Sequence, residues 1–132
     1  MPDINWLAVL AAAASSFVIG GLWYSPALFG KAWQRSAGIT DEQLKNGNLA
    51  KIYGGSLVLS IIAAAVFALF LGPEPGVGFA TSAGFAAGLC WVAASFGINY
   101  LFERKSCTLF LVNGGYHTVQ FTVFGLVLGL WH

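Results

Sequence analysis

TLFLVNGGYHTVQFTVFGLVLGLW, residues 108–131, decides how this chain folds. It is apolar at both ends, yet Asn113, Tyr116, His117 and Gln120 sit in its middle, and Asn, His and Gln are among the residues that hydrocarbon accepts least readily. As a helix rising about 1.5 Å per residue, it is long enough to cross about 30 Å of hydrocarbon. Three other stretches have the same character: residues 4–24, 52–71 and 77–102. Their apolar runs are continuous, whereas the strands of a membrane barrel would alternate apolar and polar residues. The expected fold is therefore all-α, an integral membrane bundle of four transmembrane helices.

Composition points to the same class. Hydrophobic residues make up 58% of the chain and charged residues 8%, with a mean hydropathy of +0.76. Ordinary soluble domains carry about 25% charged residues, so this chain has too little polar surface to dissolve as a globule. Its 132 residues suit one membrane domain over 1–132 and leave no room for a second of any size. The AAAASS run of residues 11–16 resembles a signal-peptide cleavage site. The residues before it hold Asp3 and no Lys or Arg, however, so the first stretch is expected to be a retained helix.

All six basic residues fall in two connections: Lys31, Arg35, Lys45 and Lys51 between the first and second stretches, Arg104 and Lys105 between the third and fourth. With four spans these connections share one side, and the opposite side holds Asp3 and Glu74. The positive-inside rule then predicts a plasma (bacterial inner) membrane protein with cytoplasmic basic loops and both termini outside. Trp6 and Trp131 would anchor the outer interface, and Trp23, Tyr24, Trp33, Tyr53 and Tyr100 the inner one.

Residues 25–51 form the one sizeable loop. Ser25 reads as a helix cap and Pro26 as a first helical residue. A short interfacial helix would follow, with Leu28, Phe29, Ala32 and Trp33 on one face and Lys31, Gln34 and Arg35 on the other. Thr40 with Gln43 reads as a capping box opening a second short helix, which Asn46-Gly47 would close.

GGLWYSPALFGKAWQR, followed by Thr40-Asp41-Glu42, resembles a family of small multi-spanning membrane proteins of bacteria and fungi catalogued as domain of unknown function 1761. The resemblance covers essentially the whole chain, and its WYSP-LFG-W pattern is the most specific part. It implies a multi-spanning architecture without an assigned activity, and it carries over no catalytic residue.

Burying apolar surface between helices gains little in lipid, so helix association relies on close contact through small residues. The stretches offer such rows at four-residue spacing: Ala8, Ala12, Ser16 and Gly20; Ser56, Ser60, Ala64 and Ala68; Gly76, Ala80, Gly84 and Gly88; and Gly125 with Gly129. Pro occurs only at positions 2, 26, 73 and 75, so the spans are expected to be unbroken.

At about 100° per residue, Asn113, Tyr116, His117, Gln120 and Phe124 share a sector of the fourth helix. On the third, Trp91, Ser95 and Asn99 share a side, at depths matching His117 and Asn113. Trp23 and Tyr53 enter from the inner ends of the first two spans. Together these residues predict a cytoplasm-facing polar pocket that binds or transports a small solute. For Asn113 and Gln120, hydrogen bonding across to a neighbouring helix is the competing reading. His117, whose unperturbed pKa is about 6.5, is a functional candidate in its own right as an ionisable group near the midplane.

Other chemistry is sparse. No acidic residue lies within a span, and neither GxSxG, HExxH nor a phosphate loop occurs. His132 is far in depth from His117, so no metal or haem site is expected. Cys90, near mid-membrane, and Cys107, at the inner surface, read as reduced thiols, with Cys90 packed as a small residue. Six dispersed basic residues make no nucleic-acid patch. No cofactor and no catalytic residue are expected, and the balance points away from an enzyme. The expected partners are the lipid bilayer and either further copies of the chain or another membrane protein. A small transporter or channel leads. A non-catalytic structural or accessory subunit follows, and a membrane enzyme or lipid-binding protein comes last.

Overall fold

The computed structural model describes residues 4–132; Asp3, invoked in the charge argument, lies outside them. Six helices follow in order: α1 (Trp6–Trp23), α2 (Gly30–Ala37), α3 (Asp41–Lys45), α4 (Leu49–Leu71), α5 (Val77–Phe102) and α6 (Cys107–Leu130). Among the described residues there is no strand. The helices α1, α4 and α5 are long and apolar enough to cross a membrane. The fourth expected span exists as one helix, α6, of 24 residues, but α6 is not among those apolar enough. The polar residues between Asn113 and Gln120 are the reason.

Side chains set the helix starts. Asn5 accepts from the backbone N–H of Ala8 at 3.1 Å, Asn48 from that of Lys51 at 3.2 Å, and Ser106 from that of Leu109 at 3.2 Å. Thr40 and Gln43 form the reciprocal capping box of α3. Ser25 does not cap α2, contrary to expectation. Its hydroxyl donates back to the Leu22 carbonyl, and its own carbonyl accepts from Leu28 and Gly30, so the chain winds through a tight turn before α2 begins at Gly30. A Cβ at Gly30 would stand 2.2 Å from the Tyr24 carbonyl oxygen, so only glycine fits there.

The closest packing joins α5 to α6, which run antiparallel. A Cβ at Gly84 would meet the Phe121 carbonyl oxygen at 2.1 Å, and one at Gly125 would meet that of Ala80 at 2.0 Å. A Cβ at Gly88 would lie 2.7 Å from the His117 carbonyl oxygen and from the Thr118 Cα, and one at Gly129 would lie 2.8 Å from the Val77 Cα. Of the rows read from sequence, Ala80, Gly84, Gly88, Gly125 and Gly129 therefore carry this interface, while Gly76 meets nothing within 4 Å.

The third span is one continuous helix, as expected, but it is not α-helical throughout. Ala87–Ala93 of α5 is a π-helical turn. Gly88 packs on α6, and so does Ala93, whose Cβ would lie 3.1 Å from a Cβ at Gly114; Gly97 follows against Phe110. The packing row thus runs 84, 88, 93, 97, with one five-residue step. An ordinary helix would carry position 93 about 140° round from position 88. The wider turn keeps the row on α6 instead.

On the other side, α1 packs against both α4 and α6. Ala8, Ala12 and Ser16 are buried, as is Ala64, and Ser16 bonds Ser60 at 3.2 Å. An apolar core fills the half of the bundle near the Gly72–Gly76 connection, built around Val9, Phe67, Phe124 and Leu128. Toward the basic loops the packing changes. All of residues 49–59 on α4 are exposed, including Tyr53 and Ser56, so this half of α4 stands off from its neighbours.

Candidate functional site

The residues picked out from sequence fall in three places. The first is a hydrogen-bonded network in the half of the bundle toward the basic loops. Asn113 is its centre: its Oδ1 accepts from the Tyr24 hydroxyl at 2.6 Å, and its Nδ2 donates to the Tyr100 hydroxyl at 2.8 Å. One carboxamide so ties the end of α1 to α5 through α6. The Trp23 indole N–H donates to the Val112 carbonyl at 2.8 Å, its ring seated over Gly115. The Tyr116 hydroxyl donates to the Ser16 carbonyl at 3.0 Å, its ring passing Gly20. Tyr24 also stacks toward Tyr116 and Trp33, with centroids at 5.4 and 5.6 Å, which fastens α2 to the network.

His117 forms the second place. Its Nδ1 meets the Gln120 Oε1 at 3.0 Å, and Gln120 is buried. A carboxamide oxygen can only accept, so Nδ1 donates and Nε2 is left as a bare acceptor. Among the described residues Nε2 has no hydrogen-bond partner. The imidazole lies nearly parallel to the Phe96 ring at 5.2 Å, with Tyr116 edge-on at 4.9 Å.

On the far side of Phe96 lies the third place, an open groove of about 380 Å³ lined by Trp91, Val92, Ser95, Phe96 and Asn99. Trp91 is 64% exposed and meets the Phe70 ring of α4 edge-on at 6.2 Å. Ser95 donates to the Trp91 carbonyl at 2.5 Å. Neither the Trp91 indole N–H nor the Asn99 carboxamide has a partner among the described residues. Trp91, Ser95 and Asn99 therefore face this groove and not the Asn113 network, and Phe96 separates the groove from His117. Tyr53 joins none of the three; it is 57% exposed and packs loosely on Phe17 at 6.3 Å.

Sequence reasoning placed Tyr24 and Tyr100 as interfacial anchors and missed them as partners of Asn113. Their signal was Asn113 itself, since a carboxamide at that depth needs both a donor and an acceptor opposite it. Cys90 was expected to pack, but it is exposed, as is Cys107; Cys90 lies about 200° round α5 from Gly88, on the side away from α6. Among the described residues no three His, Cys, Asp or Glu side chains come together.

A family model described as a protein of unknown function (DUF1761) matches residues 7–129. No curated protein and no solved structure matches the chain. With nearly its whole length matched, the chain belongs to the DUF1761 family.

Proposed function

We propose that this DUF1761 protein crosses the inner membrane four times, with its basic loops cytoplasmic, and binds a small uncharged molecule in the open groove along one face of α5. The observation that carries the reading is the groove over Trp91, Ser95 and Asn99, where the Trp91 indole N–H and the Asn99 carboxamide have no partner among the described residues and the indole N–H would face hydrocarbon if nothing occupied it. Side chains of α5 alone line the groove, which is laterally open. His117 behind Phe96 adds an unpaired acceptor, reached by a ligand that displaces the Phe96 ring. In this reading α6 spans the membrane because its polar stripe turns inward, onto Tyr24, Tyr100 and Ser16.

The accessory-subunit reading has its own support. Asn113, Tyr116 and Trp23 spend their polar atoms on ties between helices, so that part of the stripe has nothing left to offer a solute.

Native mass spectrometry of protein released gently from its membrane tests the binding reading. Wild-type protein should retain a stoichiometric non-protein mass. Ser95→Trp, which fills the groove from an exposed position, should lose it while staying folded. Protein that is bare at every activation energy, or a mass retained equally by Ser95→Trp, would leave the accessory role standing.

A further inference from the structure

We infer that the groove takes an uncharged amphiphile drawn from the bilayer itself, with a hydroxyl or carbonyl head held at Asn99 and its apolar body lying toward Trp91. This rests on the binding reading above and names its ligand class. Polarity along the groove is graded in the way such a molecule requires. Asn99 lies about 5 Å from the basic-side end of α5 at 1.5 Å per residue, the depth of an interface, and carries a free carboxamide. Ser95 comes next, one turn deeper. Its hydroxyl proton is given to the Trp91 carbonyl, so its oxygen can only accept. Phe96 lies between Asn99 and Ser95, and deeper than Ser95 come Val92 and the Trp91 ring, about 12 Å from Asn99 along the helix, with the indole N–H as the one polar side-chain atom there. A molecule lying head-up would match donors and acceptors at the mouth and the largely apolar faces of Val92 and Trp91 below.

Charge and access narrow the class. No charged side chain lines the groove. The groove is open along its length, and residues 49–59 of α4 do not close over it. Entry is therefore sideways from the lipid. The volume of about 380 Å³ suits one chain or one small ring system.

The test uses full-length protein in phospholipid vesicles doped with a diazirine-bearing long-chain alcohol, irradiated and mapped by peptide mass. Labelling should concentrate on residues 91–99 over the exposed α4 residues 57–59. It should fall about tenfold in Asn99→Leu, the effect of leaving one polar contact unmade. Excess unlabelled alcohol should compete, and the matching long-chain carboxylate should not. Even labelling of α4 and the groove, or equal competition by the carboxylate, overturns the inference. If native mass spectrometry finds a water-soluble mass that Ser95→Trp removes while the alcohol fails to label the groove, the site stands and its ligand class is wrong. Absence of both signals removes both.

Discussion

Asn113 holds its place in a bundle core because its carboxamide works in two directions, accepting from Tyr24 and donating to Tyr100. Hydrogen bonds between membrane helices contribute about 0.6 kcal/mol each and up to about 1.7. Asn113→Leu removes two and strands two phenolic hydroxyls. It should cost about 1–3 kcal/mol in a denaturant titration in micelles. A double-mutant cycle with Tyr24→Phe should give a coupling of about 0.5–1.5 kcal/mol, and strict additivity would mean that the bond contributes nothing. The stripe of Asn113, Tyr116, His117 and Gln120 was legible in the sequence because helical spacing alone puts them on one side. Which of them would be spent on neighbours was not legible. Tyr24 and Tyr100 read equally well as headgroup anchors, and only the crossing of α1, α5 and α6 brings their hydroxyls to one carboxamide.

Between elements, the α5–α6 contact is the most demanding. Gly84 and Gly125 each face a backbone carbonyl at a distance no Cβ tolerates. Gly84→Val or Gly125→Val must force the helices apart, at a cost of about 1–3 kcal/mol or more. Gly54→Val on α4, with nothing within 4 Å, should leave stability unchanged or slightly raised. Thermal unfolding in detergent separates the two, and equal tolerance at all three positions would contradict the packing. Four-residue spacing made Ala80, Gly84 and Gly88 readable in advance. The row's continuation through Ala93 and Gly97 was not, because the π turn that realigns it is marked by no proline or other breaker. The loop helix α2 was legible from its two-faced pattern, whereas its start depended on a turn in which Ser25 serves as a backbone acceptor.

Across the whole molecule, polarity is divided by depth. The half near the Gly72–Gly76 connection is an apolar core around Val9 and Phe124, and the half toward the basic loops holds the network, His117 and the groove. That division followed from the order of residues in the sequence. The separation of the groove from the network did not, because it depends on Phe96 standing between them and on α4 flaring away. The account turns on whether α6, the most polar of the long helices, crosses the membrane. Single cysteines at Gln43, Glu74, Lys105 and His132, in a background of Cys90→Ala and Cys107→Ser, can be labelled in intact cells with a membrane-impermeant maleimide. Positions 74 and 132 should react from outside, and positions 43 and 105 only after the membrane is opened. If position 132 is shielded together with position 105, α6 does not span and the four-helix arrangement is wrong.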